Sequence, residues 1–221
     1  SMWAGPLCGQ ILAAAGATVV KVESPSRPDG TRVGEPAFFD WVNHGKLSCA
    51  IDFDDDRDVL RDLLSVADVV IEGSRPAALG RRGLGPADLA GPPGRVWLRV
   101  RGHSEPSSRV AFGDDAAVAG GLVGRSATGP VFCGDAVADP LTGLESALAV
   151  SDSLRRGGGE VIEVSMAAVA ATYAALPSGP SHTGHQADPP QPPPPGAPAA
   201  ALGADTAAVI DAIARRRSVS C

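Results

Sequence analysis

The chain has 221 residues and a formal net charge of -6, with a pI of about 5.1. That length suits one domain or one and a half. The acidic balance excludes a general nucleic-acid binder held by phosphate neutralisation, while leaving room for a local basic pocket. No stretch approaches the roughly 20 uninterrupted apolar residues of a membrane span, and no basic n-region with an apolar h-region opens the chain. Cys8, Cys49, Cys133 and Cys221 are scattered without a C-x-x-C pair, so neither a disulfide framework nor a zinc site is expected. A cytoplasmic, reduced protein without a metal follows as the expectation.

In chain order, residues 5–16 read as a helix closed by Gly16, and residues 17–23 (ATVVKVE) as a short apolar strand. Residues 24–35 are rich in Pro, Gly and Ser and predict a loop. A strand is expected over 47–53, then a helix from the acidic residues 54–56 to about Val66, where carboxylates favour the helix N-terminus. Residues 67–72 (ADVVIE) and 96–100 (VWLRV) give two more apolar strands, with short helical pieces at 75–80 and 86–89 between them. Helices are predicted over 114–123 and 140–154, a turn at 157–159, a strand over 161–164 and a helix over 166–175. Nine prolines fall between 177 and 200, which predicts a linker with polyproline II preference. A last helix is expected over 206–217, with its basic end at the favourable pole of the dipole. The domain reading is therefore 1–176, a Pro-rich linker over 177–202, and a C-terminal helix within 203–221.

Unbroken apolar strands alternating with helices predict an α/β fold. The expected form is a Rossmann-like open, mostly parallel sheet with helices on both faces. Such a fold ordinarily opens with a strand, and none precedes Trp3.

Three segments can carry chemistry. Residues 2–10 (MWAGPLCGQ) put small residues before a helix whose first N–H groups are free, although an ordinary turn reads the same and no G-x-G-x-x-G is present. Residues 72–83 (EGSRPAALGRRG) follow a buried strand, where open α/β sheets bind ligands. They hold Arg75, Arg81 and Arg82, whose planar donor forks suit phosphates; a solvated basic turn is the plainer reading. Asp114, Asp115, Asp135 and Asp139 form an acidic group. Carboxylates that share a site raise one another's pKa, and one in an apolar setting can be a covalent nucleophile. From spacing alone, capping is the better reading for any one of them, Asp139 included, since it precedes Pro140 and a long helix. The histidines at 44, 103, 182 and 185 have no metal-binding spacing.

Jointly, these segments resemble the CoA-transferase family III, the CaiB/BaiF group that includes the α-methylacyl-CoA racemases. The resemblance rests on WAGPLCGQILAAAGATVVKVESPSRPDGTR (3–32), FFDWVNHGKLSCAIDF (38–53), ADVVIEGSRPAALGRRGLGP (67–86), FGDDAAVAGGLVG (112–124), GDAVADPLTGLESALAV (134–150) and GGGEVIEVSMAAVAA (157–171). It implies a large CoA-binding domain in a dimer. It further implies transfer of CoA between an acyl-CoA and a carboxylic acid through an aspartyl intermediate. By match, Asp139 is the nucleophile and Asp114, or its neighbour Asp115, assists. Trp3 and Ala4 line the CoA entrance; Gly73, Ser74 and Arg75 hold the adenosine-pantetheine path; Arg81 and Arg27 meet phosphates. Coenzyme A enters as acyl-CoA, with no nucleic acid or membrane as partner. The small second domain of the family has no counterpart between the helix at 166–175 and the proline segment. A non-catalytic CoA-binding or partner-dependent subunit is therefore the alternative, working as a homodimer or beside a second subunit. A further alternative, 2-methylacyl-CoA racemisation, would need Asp114 and Asp139 as the proton-relaying pair.

Overall fold

The computed structural model describes residues 2–73, 78–177 and 197–219. The chain opens with α1 (Ala4–Ala14). Pro6 is tolerated there because first-turn N–H groups have no intrahelical partner. The helix closes at Gly16, whose φ of 99° needs a residue without a Cβ. Next come β1 (Val20–Glu23), α2 (Pro36–Asn43), β2 (Leu47–Ala50), α3 (Arg57–Val66), β3 (Val69–Glu72) and β4 (Val96–Arg101). Then follow α4 (Gly113–Ala119), β5 (Val123–Ser126), β6 (Gly129–Phe132), α5 (Ala138–Arg155), β7 (Val161–Ser165), α6 (Met166–Ala174) and α7 (Thr206–Val219).

The class is the expected one, α/β with parallel strands between helical layers. The parallel strands are divided, however, into a pair β1-β2 and a triplet β3-β4-β7. β4 shows why both faces are covered. Val96 and Leu98 point into a cluster with Cys8 of α1 and Ala147 and Val150 of α5, while Trp97 points the other way, against Leu60 and Leu64 of α3. Alternate side chains of a strand face opposite sides, so an apolar run must be roofed twice.

Two elements depart from the sequence expectation. The helix predicted over 114–123 stops at Ala119, and residues 123–132 instead form the antiparallel hairpin β5-β6. This hairpin is mostly exposed, so no apolar alternation announces it. α2 arises between the predicted loop and strand. Its start is marked by the Glu35 carboxylate, which accepts from Ala37 N–H at 3.5 Å, and by Pro36 at the first helical position. Of the two short helical pieces, a 3-10 turn forms at Gly80–Arg82; residues 74–77 lie outside the described set, and 86–88 are a plain turn. Most of the proline segment, residues 178–196, also lies outside the described residues.

The C-terminal helix does form, and it docks. Val209 and Ile213 of α7 join Cys49 and Ile51 in one buried cluster. Just before it, Asp205 accepts from Ser48 N–H at 2.8 Å and Thr206 Oγ1 accepts from Ala50 N–H at 3.0 Å. The edge of β2 is thereby satisfied by side chains instead of another strand.

Candidate active site around Asp139

Asp139 is the second residue of α5, yet it does not cap that helix. The residue before the helix is Val137, and no side chain caps that terminus. The carboxylate instead reaches to the start of α1, where Oδ1 accepts from Ala4 N–H at 3.4 Å. The Gly113 N–H also bonds to it. The capping role favoured by spacing is thus replaced by contacts to two neighbouring helix starts.

Glycines make this approach possible. A Cβ on Gly113 would lie 2.5 Å from Asp139 Oδ2 and 2.2 Å from Ala136 O, distances no side chain can occupy. A Cβ on Gly143 would sit 3.0 Å from both Ala4 O and Leu7, so this glycine sets how closely α1 lies on α5. Ala136 has a φ of 45°, a left-handed conformation uncommon outside glycine. It is held there by Asp114 Oδ1, which accepts from Ala136 N–H at 2.9 Å, and by Asp139 N–H, which donates to Ala136 O at 2.8 Å. Asp115 does cap: Oδ2 accepts from Phe112 N–H at 3.0 Å at the start of α4.

The environment leaves Asp139 with a raised pKa. Burial is the main cause, and the nearby Asp114 charge adds to it; the N–H groups of Ala4 and Gly113 oppose both without cancelling them. A half-buried carboxylate that keeps few solvating partners is a stronger nucleophile than one in water.

The two ends of the predicted ligand path differ. Trp3 stands half-buried at the mouth of α1, edge-on to Phe38 with centroids 5.2 Å apart and planes at 85°. Phe38 in turn meets Trp41 at 6.2 Å. The indole Nε1 of Trp3 is buried with no hydrogen-bond partner among the described residues. Gly73 lies exposed at the carboxyl end of β3, while Ser74 and Arg75 lie outside the described residues. Arg27 and Arg81 are exposed, and their side chains carry no ion pair or hydrogen bond among the described residues. Arg82 is different: it grips Asp54 at 2.8 and 3.1 Å, so the basic cluster read from the sequence is partly neutralised. The structure therefore brings Ala4, Gly113, Asp114 and Asp139 together and leaves Arg27 and Arg81 outside that group of contacts.

One residue escaped the sequence reading. Lys46 is buried beneath the first turn of α1, donating to Pro6 O at 2.7 Å and to Asn43 Oδ1 at 3.2 Å. With neutral acceptors only, burial pulls its pKa down to about 7, and the positive charge of Lys21 adds to this. Burial also pushes the neighbouring Cys8 thiol up to about 12. The only available signal was rarity, since Lys46 and Lys21 are the chain's two lysines. A small hollow of about 10 Å³, room for a single water, is lined by Lys21, Arg32, Phe39 and Lys46 among others; Asp139 is not among its walls. Among the described residues no cluster of three or more His, Cys, Asp or Glu side chains suits a metal ion, and no helix is long and apolar enough to cross a membrane.

Known proteins share this arrangement of elements. A hypothetical protein of Mycobacterium tuberculosis matches with a TM-score of 0.72 at 30% identity, over 79% of this chain and 53% of that one. A CaiB/BaiF family protein of Brucella suis matches equally well, over 79% and 52%. In sequence, the succinyl-CoA–D-citramalate CoA-transferase of Chloroflexus aurantiacus is 30% identical over 185 residues, 74% of this chain and 46% of its own length. The succinate–glutarate CoA-transferase of Agrobacterium fabrum is 31% identical over 192 residues, 75% and 48%. The chain thus spans about half the length of these relatives. The model of the CoA-transferase family III matches residues 1–202, and the chain belongs to that family.

Proposed function

We propose that this protein moves CoA between an acyl-CoA thioester and a carboxylic acid, with Asp139 as the nucleophile. One observation carries the reading. The Asp139 carboxylate is turned from its own helix and held half-buried against Ala4 N–H, in a space kept open by Gly113. The names of relatives that act on succinyl-CoA support the same class of chemistry.

The steps balance as follows. An Asp139 oxygen attacks the thioester carbonyl, and the CoA thiolate leaves, giving an acyl-aspartyl anhydride. The thiolate then attacks the aspartyl carbonyl, releasing the first acid as its carboxylate and leaving an aspartyl-CoA thioester. An acceptor carboxylate attacks that thioester and expels the thiolate. The thiolate then takes the new acyl group, and the Asp139 carboxylate returns. The N–H groups of Ala4 and Gly113 stabilise the oxyanion charge that develops beside this carbonyl, as fixed donors do. Asp114 is a positioning residue in this scheme: its carboxylate is committed to Ala136 N–H and so orients the turn that presents Asp139. That commitment also argues against its serving as the second base of a racemase. Trp3 and Ala4 stand at the entrance, Gly73, Ser74 and Arg75 guide the pantetheine path, and Arg27 and Arg81 meet phosphates.

The test is an exchange assay with succinyl-CoA and excess glutarate, following glutaryl-CoA by chromatography, with CoA binding measured in parallel by calorimetry. Glutaryl-CoA formed by the natural chain and not by D139N supports transfer. CoA binding without any product, alone or with a dimer partner, rejects transfer by this chain. It supports instead the partner-dependent subunit.

A further inference from the structure

The transfer steps make no use of Lys46, although it bonds to the helix turn that meets Asp139. Its side chain runs beneath α1, where a Cβ on Gly9 would come 3.6 Å from Nζ and 3.7 Å from Cε. Nζ donates to Pro6 O at 2.7 Å and to Asn43 Oδ1 at 3.2 Å. Asn43 is itself buried and fixed, since its Nδ2 donates to Phe39 O at 3.0 Å. The lysine thus joins the first turn of α1 to the last turn of α2. Both acceptors are neutral. An ammonium offers three N–H groups and the amine two, so both bonds can be made in either protonation state. A methionine would fill a similar volume without the cost of burying an amine. What the lysine adds is the bonds themselves.

The start of α1 is loaded on two faces. Gly9 faces Lys46, whereas Ala4 and Leu7 face Gly143 of α5. At roughly 100° per residue these directions are nearly opposite, so α1 is held between the lysine and α5. The hydrogen bonds made by its first turn to side chains are unequal. The bond from Lys46 to Pro6 O, at 2.7 Å, has the length of a charge-assisted one. Ala4 N–H meets Asp139 Oδ1 only at 3.4 Å, beyond the ordinary range. The short bond sets the place of the turn and the long one follows it. Ala4 and Pro6 are about 3 Å apart along the axis of one turn, so a shift at Pro6 carries over to Ala4.

We propose, on the reading of Asp139 as the nucleophile, that Lys46 is a positioning residue for the transfer reaction: by holding Pro6 O from beneath α1 it fixes where Ala4 N–H meets the Asp139 carboxylate. The lysine itself touches no reacting atom. Its effect is on a donor that must already face the charge as it develops, and a misplacement of about 1 Å caused far from the chemistry can cost about 10²-fold in rate.

The test compares the natural chain with K46M in two readouts. The first is amide hydrogen exchange by NMR, without substrate. Ala4 N–H stands at the first helical position, where no helix carbonyl is its partner, so its exchange reports the contact with Asp139. In K46M this amide is expected to exchange at least about ten-fold faster. The amides of Val96 and Trp97, bonded to Asp68 O and Glu160 O in the central strand, are expected to stay as they are. The second readout is kinetic, with succinyl-CoA and glutarate. There kcat should fall about 10²-fold while KM for succinyl-CoA stays within about twofold, the pattern of a lost transition-state contact. Should K46M not fold, K46Q, whose amide stops one bond short of Pro6 O, is read in the same way. An Ala4 amide that is unchanged, or that speeds up together with those of Val96 and Trp97, overturns the positioning role. So does an unchanged kcat in K46M beside an inactive D139N. A natural chain that transfers no CoA defeats the reaction itself, and the Ala4 amide alone then decides whether Lys46 places the turn.

Discussion

Asp139 gains its character from what surrounds its carboxylate, and both pH and substitution expose this. Its pKa is raised in the folded chain, so between the unfolded and folded values the native state holds the extra proton. The stability this contributes is complete below the unfolded pKa and is lost as pH rises through the folded one. The proposed transfer would have the opposite dependence, because only the ionised form could attack. D139N is therefore expected to lose about 10³-fold or more in transfer rate while melting no lower than the natural chain at pH 7, as thermal denaturation would show. Lys46 gives a second pH signature of opposite sign. Its pKa is depressed to about 7, so above that pH the unfolded chain binds the extra proton. Stability should rise from pH 7 toward the ordinary lysine range, and K46M should abolish that rise in denaturant titrations. Gly113→Ala would force the backbone of Ala136 or the Asp139 carboxylate to move, at a cost of about 1–3 kcal/mol together with loss of activity. Little of this was legible in residue types alone. Spacing offered Asp139 a capping role, and only the joint resemblance of the segments singled it out. The bonds to Ala4 and Gly113 join residues far apart in the chain and leave no local pattern.

Elements were legible in proportion to their burial. β3 and β4 read plainly because both faces are covered and their runs are almost wholly apolar. The β5-β6 hairpin did not, since its glycines and its exposed serine and threonine carry no periodicity and its first residues extended a helical pattern. α2 is short, and its Glu35-Pro36 start sits at the end of a stretch whose glycines and prolines read as loop. α7 was read as a helix, but its docking was invisible, because Asp205 and Thr206 act on the main chain of β2 more than 150 residues away. D205A leaves the partly buried Ser48 N–H without its acceptor and should cost about 1–3 kcal/mol. I213A, which empties part of the α7 cluster, should cost about 2–5 kcal/mol. Both are read from urea unfolding midpoints, and a loss below 0.5 kcal/mol, roughly the scale of a neutral surface change, would mean that α7 is not held as described.

At the scale of the molecule, three helix starts meet at one acid. α1 is seated on α5 by Gly143, α4 makes room through Gly113, and α5 carries Asp139 into the junction. The parallel sheets serve as the frame that aims those helices, which explains why an α/β fold could be read from strand composition while the site could not. The most direct measurement is to incubate the chain with succinyl-CoA, quench with hydroxylamine and map the modified peptide by mass spectrometry. A hydroxamate at Asp139, dependent on the acyl-CoA and absent from D139N, is the expected result. A chain that turns over acyl-CoA while the peptide carrying Asp139 stays unmodified would contradict the account.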